Sequence, residues 1–151
     1  MRRHSYFSLE EANGLIPTLE YYCRQLAMLH SELVSLQYHL QRQGAKVTAR
    51  GVSLPRRAVK EVRGWRTRYF DRCHQYDALL EEMAATGVEI VDATLGLVNI
   101  YTWWDGEEVV LSWQYGEPSV QFWFDPGEPF SARRPIRQLF HDAPTGRAQW
   151  H

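Results

Sequence analysis

The stretch LVNIYTWW-DG-EEVVLSWQY, residues 97–115, decides the fold of this chain. On both sides of Asp105-Gly106 the side chains alternate with a period of two, the period of a β-strand. Asp-Gly between two such runs is a two-residue type I′ hairpin turn, because both residues tolerate positive φ. That turn sets the register: Trp104 opposes Glu107, Thr102 opposes Val109, Ile100 opposes Leu111, and Val98 opposes Trp113. Val98, Ile100, Val109, Leu111 and Trp113 then share a core face, and a slip of one residue would turn all of them to the other side.

Downstream, a turn at Gly116-Glu117-Pro118-Ser119 leads into a third strand, Val120–Phe124. Pairing Tyr115 with Val120 sets Phe122 opposite Trp113 and Phe124 opposite Leu111, which puts both rings on the core face. Val88–Val91 is a short fourth strand candidate.

Upstream of Gly87 the rhythm changes to that of helices. Ser8-Leu9-Glu10-Glu11 has the form of a capping box, in which the Ser8 hydroxyl and the Glu11 carboxylate each accept the other's backbone N–H. Pro17 lacks an N–H and disfavours the α conformation at Ile16, so a short helix to about Gly14 and a restart near Ile16 are expected. Leu15, Leu19, Tyr22, Leu26, Leu29, Leu33, Leu36 and Leu40 then step by fours and threes, a heptad seam that ends near Gly44. Residues 44–53 read as a loop with Lys46 and Arg50 exposed. Ser53 as cap and Pro55 in the first turn open a second long helix. Its stripe is Val59, Val62, Trp65, Tyr69, Cys73, Tyr76, Leu80 and Met83. A short connection between two long helices makes them antiparallel neighbours.

The expected fold is therefore α+β: a long antiparallel helical hairpin, with a short kinked N-terminal helix, packed with a three- to four-stranded antiparallel β-meander. Residues 1–140 read as one α+β domain and the polar residues 141–151 as a flexible C-terminal tail.

Composition sets bounds on function. With 151 residues, 44% hydrophobic and 23% charged, the chain is large and apolar enough to bury its own core. Seventeen basic and eighteen acidic residues leave a formal charge of -1, a balance that argues against a nucleic-acid or anionic-membrane protein. No run approaches the ~18 apolar residues of a membrane span. The N-terminus has no secretory pattern, and Cys23 and Cys73 sit in helical stretches, so a cytoplasmic location with free thiols is expected.

Signatures of chemistry are missing from the pattern. His4, His30, His39, His74, His141 and His151 show no ligand spacing, so no metal is expected. The carboxylate pairs Glu10–Glu11, Glu81–Glu82 and Glu107–Glu108 form no dyad, and there is no nucleophile elbow or phosphate loop. No catalytic residue and no cofactor is expected.

What remains is surface. The second face of the meander carries Tyr101, Trp103 and Trp123 among Asn99, Val110, Ser112, Gln114 and Gln121. Rings mixed with amides suit a ligand or a protein partner, or are covered by the rest of the chain. Glu117 is placed to pair with Arg133 or Arg134 and tie the C-terminal segment to the sheet. Arg56, Arg57, Lys60, Arg63, Arg66 and Arg68 crowd the first half of the second helix. They read as a solvated face with acidic partners such as Glu61 and Asp71, or alternatively as a phosphate contact.

Three blocks resemble the bacterial domain-of-unknown-function family 2203. They are Tyr6 to Pro17, Gly96-Leu97-Val98-Asn99-Ile100, and Leu111 to Pro118 followed by Phe122-Trp123 and Phe130 to Ile136. The resemblance implies domain limits and carries no assigned activity. This chain departs from the family's pattern at Asn99, Ser112 and Phe124, where many members have Asp, Cys and His. Any thiol or metal site built on those positions in other members is lost here.

The functional expectation is a non-enzymatic protein-interaction or accessory domain that self-associates; the alternative is a small-ligand binder or minor enzyme with a pocket between the helical hairpin and the sheet. Candidate contacts are Tyr101, Trp103, Trp123, Gln114, Glu117, Arg133 and Arg134.

Overall fold

The computed structural model of the chain describes residues 5–142. The fold is α+β. Helix α1 spans Leu9–Arg42, and a two-stranded hairpin follows, β1 Lys46–Thr48 and β2 Gly51–Ser53. Helix α2 spans Lys60–Ala85. Strands β3 Glu89–Asp92, β4 Leu97–Trp104, β5 Glu107–Gln114, β6 Phe122–Phe124 and β7 Arg134–Pro135 form one antiparallel sheet in sequence order, and α3 is Ile136–Asp142. The sheet has one strand more than expected. The expected tail lies outside the described residues from position 143 onward.

The chain divides into two compact units: the residues up to Cys23 with those from Glu81 on, and Arg24–Leu80. In the first unit, the central hairpin has the register that Asp105-Gly106 dictates, from Trp104↔Glu107 to Val98↔Trp113. Asp105 and Gly106 both have positive φ, 51° and 78°, as a type I′ turn requires. Val98, Ile100, Thr102, Val109, Leu111 and Trp113 are all buried. On α1 the buried residues of this unit are Ala12, Ile16, Leu19 and Cys23, spaced four, three and four. The capping box is formed, with Glu11 N–H to Ser8 Oγ at 3.0 Å and Ser8 N–H to Glu11 Oε1 at 2.9 Å.

Pro17 does not interrupt the helix. Leu9–Arg42 is one α-helix with the proline inside it, so the expected restart near Ile16 is corrected. The proline forgoes one intrahelical bond, to the Asn13 carbonyl, and the buried stripe on either side outweighs that loss.

The third strand of the meander is also corrected. Phe124 opposes Val110, Trp123 opposes Leu111 and Phe122 opposes Ser112, a slip of one residue from the expected pairing. The cause is the connection, which is no tight hairpin. Glu117 N–H bonds to the Gln114 carbonyl, and Val120 N–H donates to Asn13 Oδ1 on α1 at 2.7 Å. Trp123 thus moves to the core-face register, and Phe122 and Phe124 move to the second face.

In the second unit, the segment read as a loop is the β1–β2 hairpin, with Lys46 opposite Ser53 and Thr48 opposite Gly51. Ser53 ends a strand, so α2 starts at Lys60 and Val59 is exposed. Gly44, at φ 85°, closes α1 in the left-handed conformation. Two contacts show the antiparallel phasing of the helices here. Arg72 Nε meets Glu32 Oε1 at 2.8 Å, and the Trp65 ring lies 5.8 Å from that of His39. Seven residues along one helix match seven back along the other, as a heptad seam demands. Leu40, Ala45 and Val62 form this unit's core cluster, flanked by Val47, Val52, Trp65 and Tyr69.

Candidate functional site

Glu117, Arg133 and Gln114 meet at one end of the sheet. Glu117 Oε1 accepts the Gln114 backbone N–H at 2.6 Å and Arg133 Nη2 at 2.7 Å. Its backbone carbonyl takes the indole N–H of Trp113 at 2.9 Å. Arg133 Nη2 also donates to the Ser112 carbonyl, and its guanidinium carbon sits 4.1 Å from the Phe122 ring centre and 4.4 Å from that of Phe130. The expected Glu117–Arg133 pair is present, with one guanidinium nitrogen serving both oxygens rather than two nitrogens gripping the carboxylate. Two rings and a half-buried carboxylate hold the cation, a setting that suits a flat guanidinium better than an ammonium.

Arg134 points to the opposite side of β7. It stands directly opposite Trp123 of β6, with its guanidinium carbon 4.4 Å from the indole, and it pairs with Glu128 and, at 3.6 Å, with Asp125. Glu117, Arg133 and Arg134 together fasten the segment after β6 onto the sheet.

The second face holds a different network. Glu89 on β3 accepts Asn99 Nδ2 at 3.0 Å and the Tyr101 hydroxyl at 3.1 Å. Burial first, and then the charge of Glu89, push Tyr101 up to about 12, so it is a neutral donor. Tyr101, Val110 and Phe124 are buried in one cluster with Ala132 against it, so this part of the face is covered by the 3₁₀ turn Phe130–Ala132. Trp103 stays at the rim, 5.0 Å from the ring of Tyr6, whose hydroxyl donates to Glu108 at 2.8 Å. Tyr6 forms a parallel bridge with Tyr101, extending the sheet along the edge of β4. Asn99, Ser112 and Phe124 share this face, with Asn99 opposite Ser112 and Phe124 opposite Val110. Ser112 Oγ and Arg133 Nε are buried there without a hydrogen-bond partner among the described residues.

The seven expected contacts therefore split. Glu117, Arg133 and Gln114 converge; Tyr101 belongs to the Glu89 network; Trp103 is at the rim; Trp123 and Arg134 lie on the other face. Glu89, Tyr6 and Asn13 were not singled out as contacts from sequence, and Glu108 was weighed only as half of a carboxylate pair. Tyr6, Glu108 and Asn13 act across more than 100 residues of chain, whereas Glu89, the first residue of β3, reaches its partners over 10 and 12.

Burial also pushes up the Cys23 thiol, to about 11, with Glu20 adding to it, so Cys23 is a poor nucleophile at neutral pH.

A further surface belongs to α1. Ala27, Ser31, Val34 and Tyr38 are exposed and spaced four, three and four, with Met28 and Ser35 beside them. Met28, Val34 and Tyr38 are 67%, 53% and 55% exposed. The strip itself holds no charged residue, though Arg42 lies over the Tyr38 ring at 5.7 Å and donates to its hydroxyl at 3.1 Å, and it runs roughly opposite the seam of Leu33, Leu36 and Leu40.

Over residues 5–136 the chain matches the model of a family described as uncharacterized conserved protein, DUF2203. No curated protein and no solved structure matches it.

Proposed function

The chain belongs to the DUF2203 family of uncharacterised conserved proteins, and from that premise we propose that it acts by contact rather than catalysis, as a self-associating interaction domain. The observation that carries this reading is the second heptad strip on α1. A helix that buries one seam in its own unit here also leaves Met28 and Val34 in water on the opposite side, with Tyr38 at the end of the row under Arg42. Ala27, Ser31 and Ser35 are small, so the backbone of a partner helix can approach closely, with Tyr38 and Met28 as anchors. The partner is a second copy of α1, since an isologous pair lets one strip serve both sides.

Light scattering and sedimentation test this directly. The expected result is a dimer at micromolar concentration that becomes monomeric, with unchanged circular dichroism, in Val34→Glu and Ser31→Lys. A wild-type chain that stays monomeric up to about 100 μM, a concentration at which even a contact of about -5.5 kcal/mol is half formed, overturns it.

A further inference from the structure

The near-neutral total charge conceals a segregation. Arg24–Leu80 holds eleven Lys and Arg against four Asp and Glu, which leaves six basic and fourteen acidic residues in the other unit. Half of the acidic groups of that other unit are engaged within it, Asp125 with Arg134 among them. Glu117 and Glu128 pair with Arg133 and Arg134, and Glu11, Glu89, Asp92 and Glu108 accept hydrogen bonds from neighbours. The basic groups of Arg24–Leu80 are not. Among the described residues this unit's salt bridge joins Arg72 to Glu32, and Arg50, Arg56, Arg57, Lys60, Arg63 and Arg66 form none. The acidic partners expected for α2 from sequence, Glu61 and Asp71, do not meet them.

These cations are gathered by the fold. Lys60, Arg63 and Arg66 succeed each other at one-turn spacing on α2, and Phe70 follows on the same side, 39% exposed. The β1–β2 hairpin brings Arg50 to this place. A Cβ built on Gly51 would lie 3.7 Å from the Phe70 ring, so the residue next to Arg50 rests on that ring. Arg56 and Arg57 occupy the turn that enters α2. A partly exposed aromatic ring on the same side of α2 as three cations without an ion pair, one of them (Arg63) donating to the Ala58 carbonyl, has the chemistry of a nucleic-acid surface: guanidinium and ammonium groups for phosphates, a ring for a base.

We propose that the face formed by the β1–β2 hairpin and the first half of α2 binds a single nucleic-acid strand through its phosphates, with Phe70 stacking on a base. The binding does not require self-association, so its failure and that of the dimer are separate results.

Fluorescence anisotropy of the full chain with a labelled single-stranded oligonucleotide, repeated with the same sequence as duplex, is the test. Each phosphate contact on a single strand contributes about 0.7 to the slope of log affinity against log salt, so a slope of about -3 or steeper is expected from four or more contacts. Lys60→Glu with Arg63→Glu weakens binding at least about tenfold and makes the slope shallower by more than about 1. Arg137→Glu, an exposed site in the other unit, leaves binding nearly unchanged. Phe70→Ala weakens the single strand more than the duplex. The proposal is overturned by absence of binding at low salt, by full affinity in the double variant, or by an equal loss in Arg137→Glu. It is also overturned if anionic phospholipid vesicles bind and the oligonucleotide does not compete.

Discussion

The side-chain oxygen of Asn13, in the second turn of α1, accepts the backbone N–H of Val120 at 2.7 Å across 107 residues of chain. Val120 is buried and stands in the connection between β5 and β6, so this bond holds that connection out of a tight turn. Replacing Asn13 by Ala leaves the N–H without its acceptor, which costs about 1–3 kcal/mol. For a chain of this size the melting temperature should fall by about 2–4 °C per kcal/mol. Thermal unfolding checks it, and Asn13→Asp, which keeps the oxygen, should recover most of the loss. An Asn13→Ala protein that melts with the wild type sinks the assignment.

Glu117 and Arg133 form a pair that is mostly out of water, their side chains 20% and 13% exposed. Glu117→Gln keeps an acceptor for the Gln114 N–H and removes the charge, so stability should fall by about 1.5–3 kcal/mol. Trypsin should then cut after Arg133 sooner than in the wild type. Arg133→Lys keeps the charge and should still lose stability, because an ammonium does not lie flat between Phe122 and Phe130. Equal melting of Arg133→Lys and wild type would count against the ring sandwich.

Gly96 and Gly106 both have positive φ, but their surroundings differ. A Cβ on Gly96 would come within 2.5 Å of the Tyr115 Cβ, whereas one on Gly106 meets nothing within 4 Å. Gly106→Ala should carry only the left-handed penalty of about 1–2 kcal/mol. Gly96→Ala should lose more, since Tyr115 N–H also bonds to the Gly96 carbonyl and both strands would have to part. Denaturant titration of the two variants side by side tests the order.

Tyr101 links stability to alkaline pH. Its folded value, pushed up to about 12, lies above the ordinary tyrosine value near 10. The folded protein therefore holds this proton when the unfolded chain has begun to release it. The stabilisation is complete below about pH 10 and is lost as pH rises through about 12. Tyr101→Phe should be less stable at neutral pH, having lost the bonds to Glu89, yet its stability should decline less steeply over that window. Parallel slopes for the two proteins would show that Tyr101 does not carry the effect.

Much of the sheet was legible because its rules are local. Asp105-Gly106 admits one turn type, and that turn sets all eight pairs of β4 and β5. The capping box is four consecutive residues, and the Glu117–Arg133 pair followed from opposite charges near a turn. The β6 register was not legible, because a contact from α1 sets it. Nor was the β1–β2 hairpin, whose three-residue strands sit below the length at which alternation can be told from chance. Pro17 looked like a break because propensity speaks for an isolated helix, and burial on both sides overrules it. Among the candidate contacts, Trp123 changed face with the slip of its strand. The basic cluster at the start of the second helix was legible, but it was read first as a solvated face with acidic partners, because net charge averages over units that the sequence does not announce.

The hairpin of β4 and β5 also orders events in time. Its cross-strand pairs lie at most 17 residues apart in sequence, from Trp104↔Glu107 to Leu97↔Gln114. Closing so small a loop takes about microseconds, long before Tyr6 can find Tyr101 or Asn13 can find Val120. The centre of the sheet can thus exist before either of its neighbours docks, and the segment from Tyr6 to Asn13 is gathered in later. Mutations at Val98 or Leu111 should slow refolding, while those at Asn13 should mainly hasten unfolding.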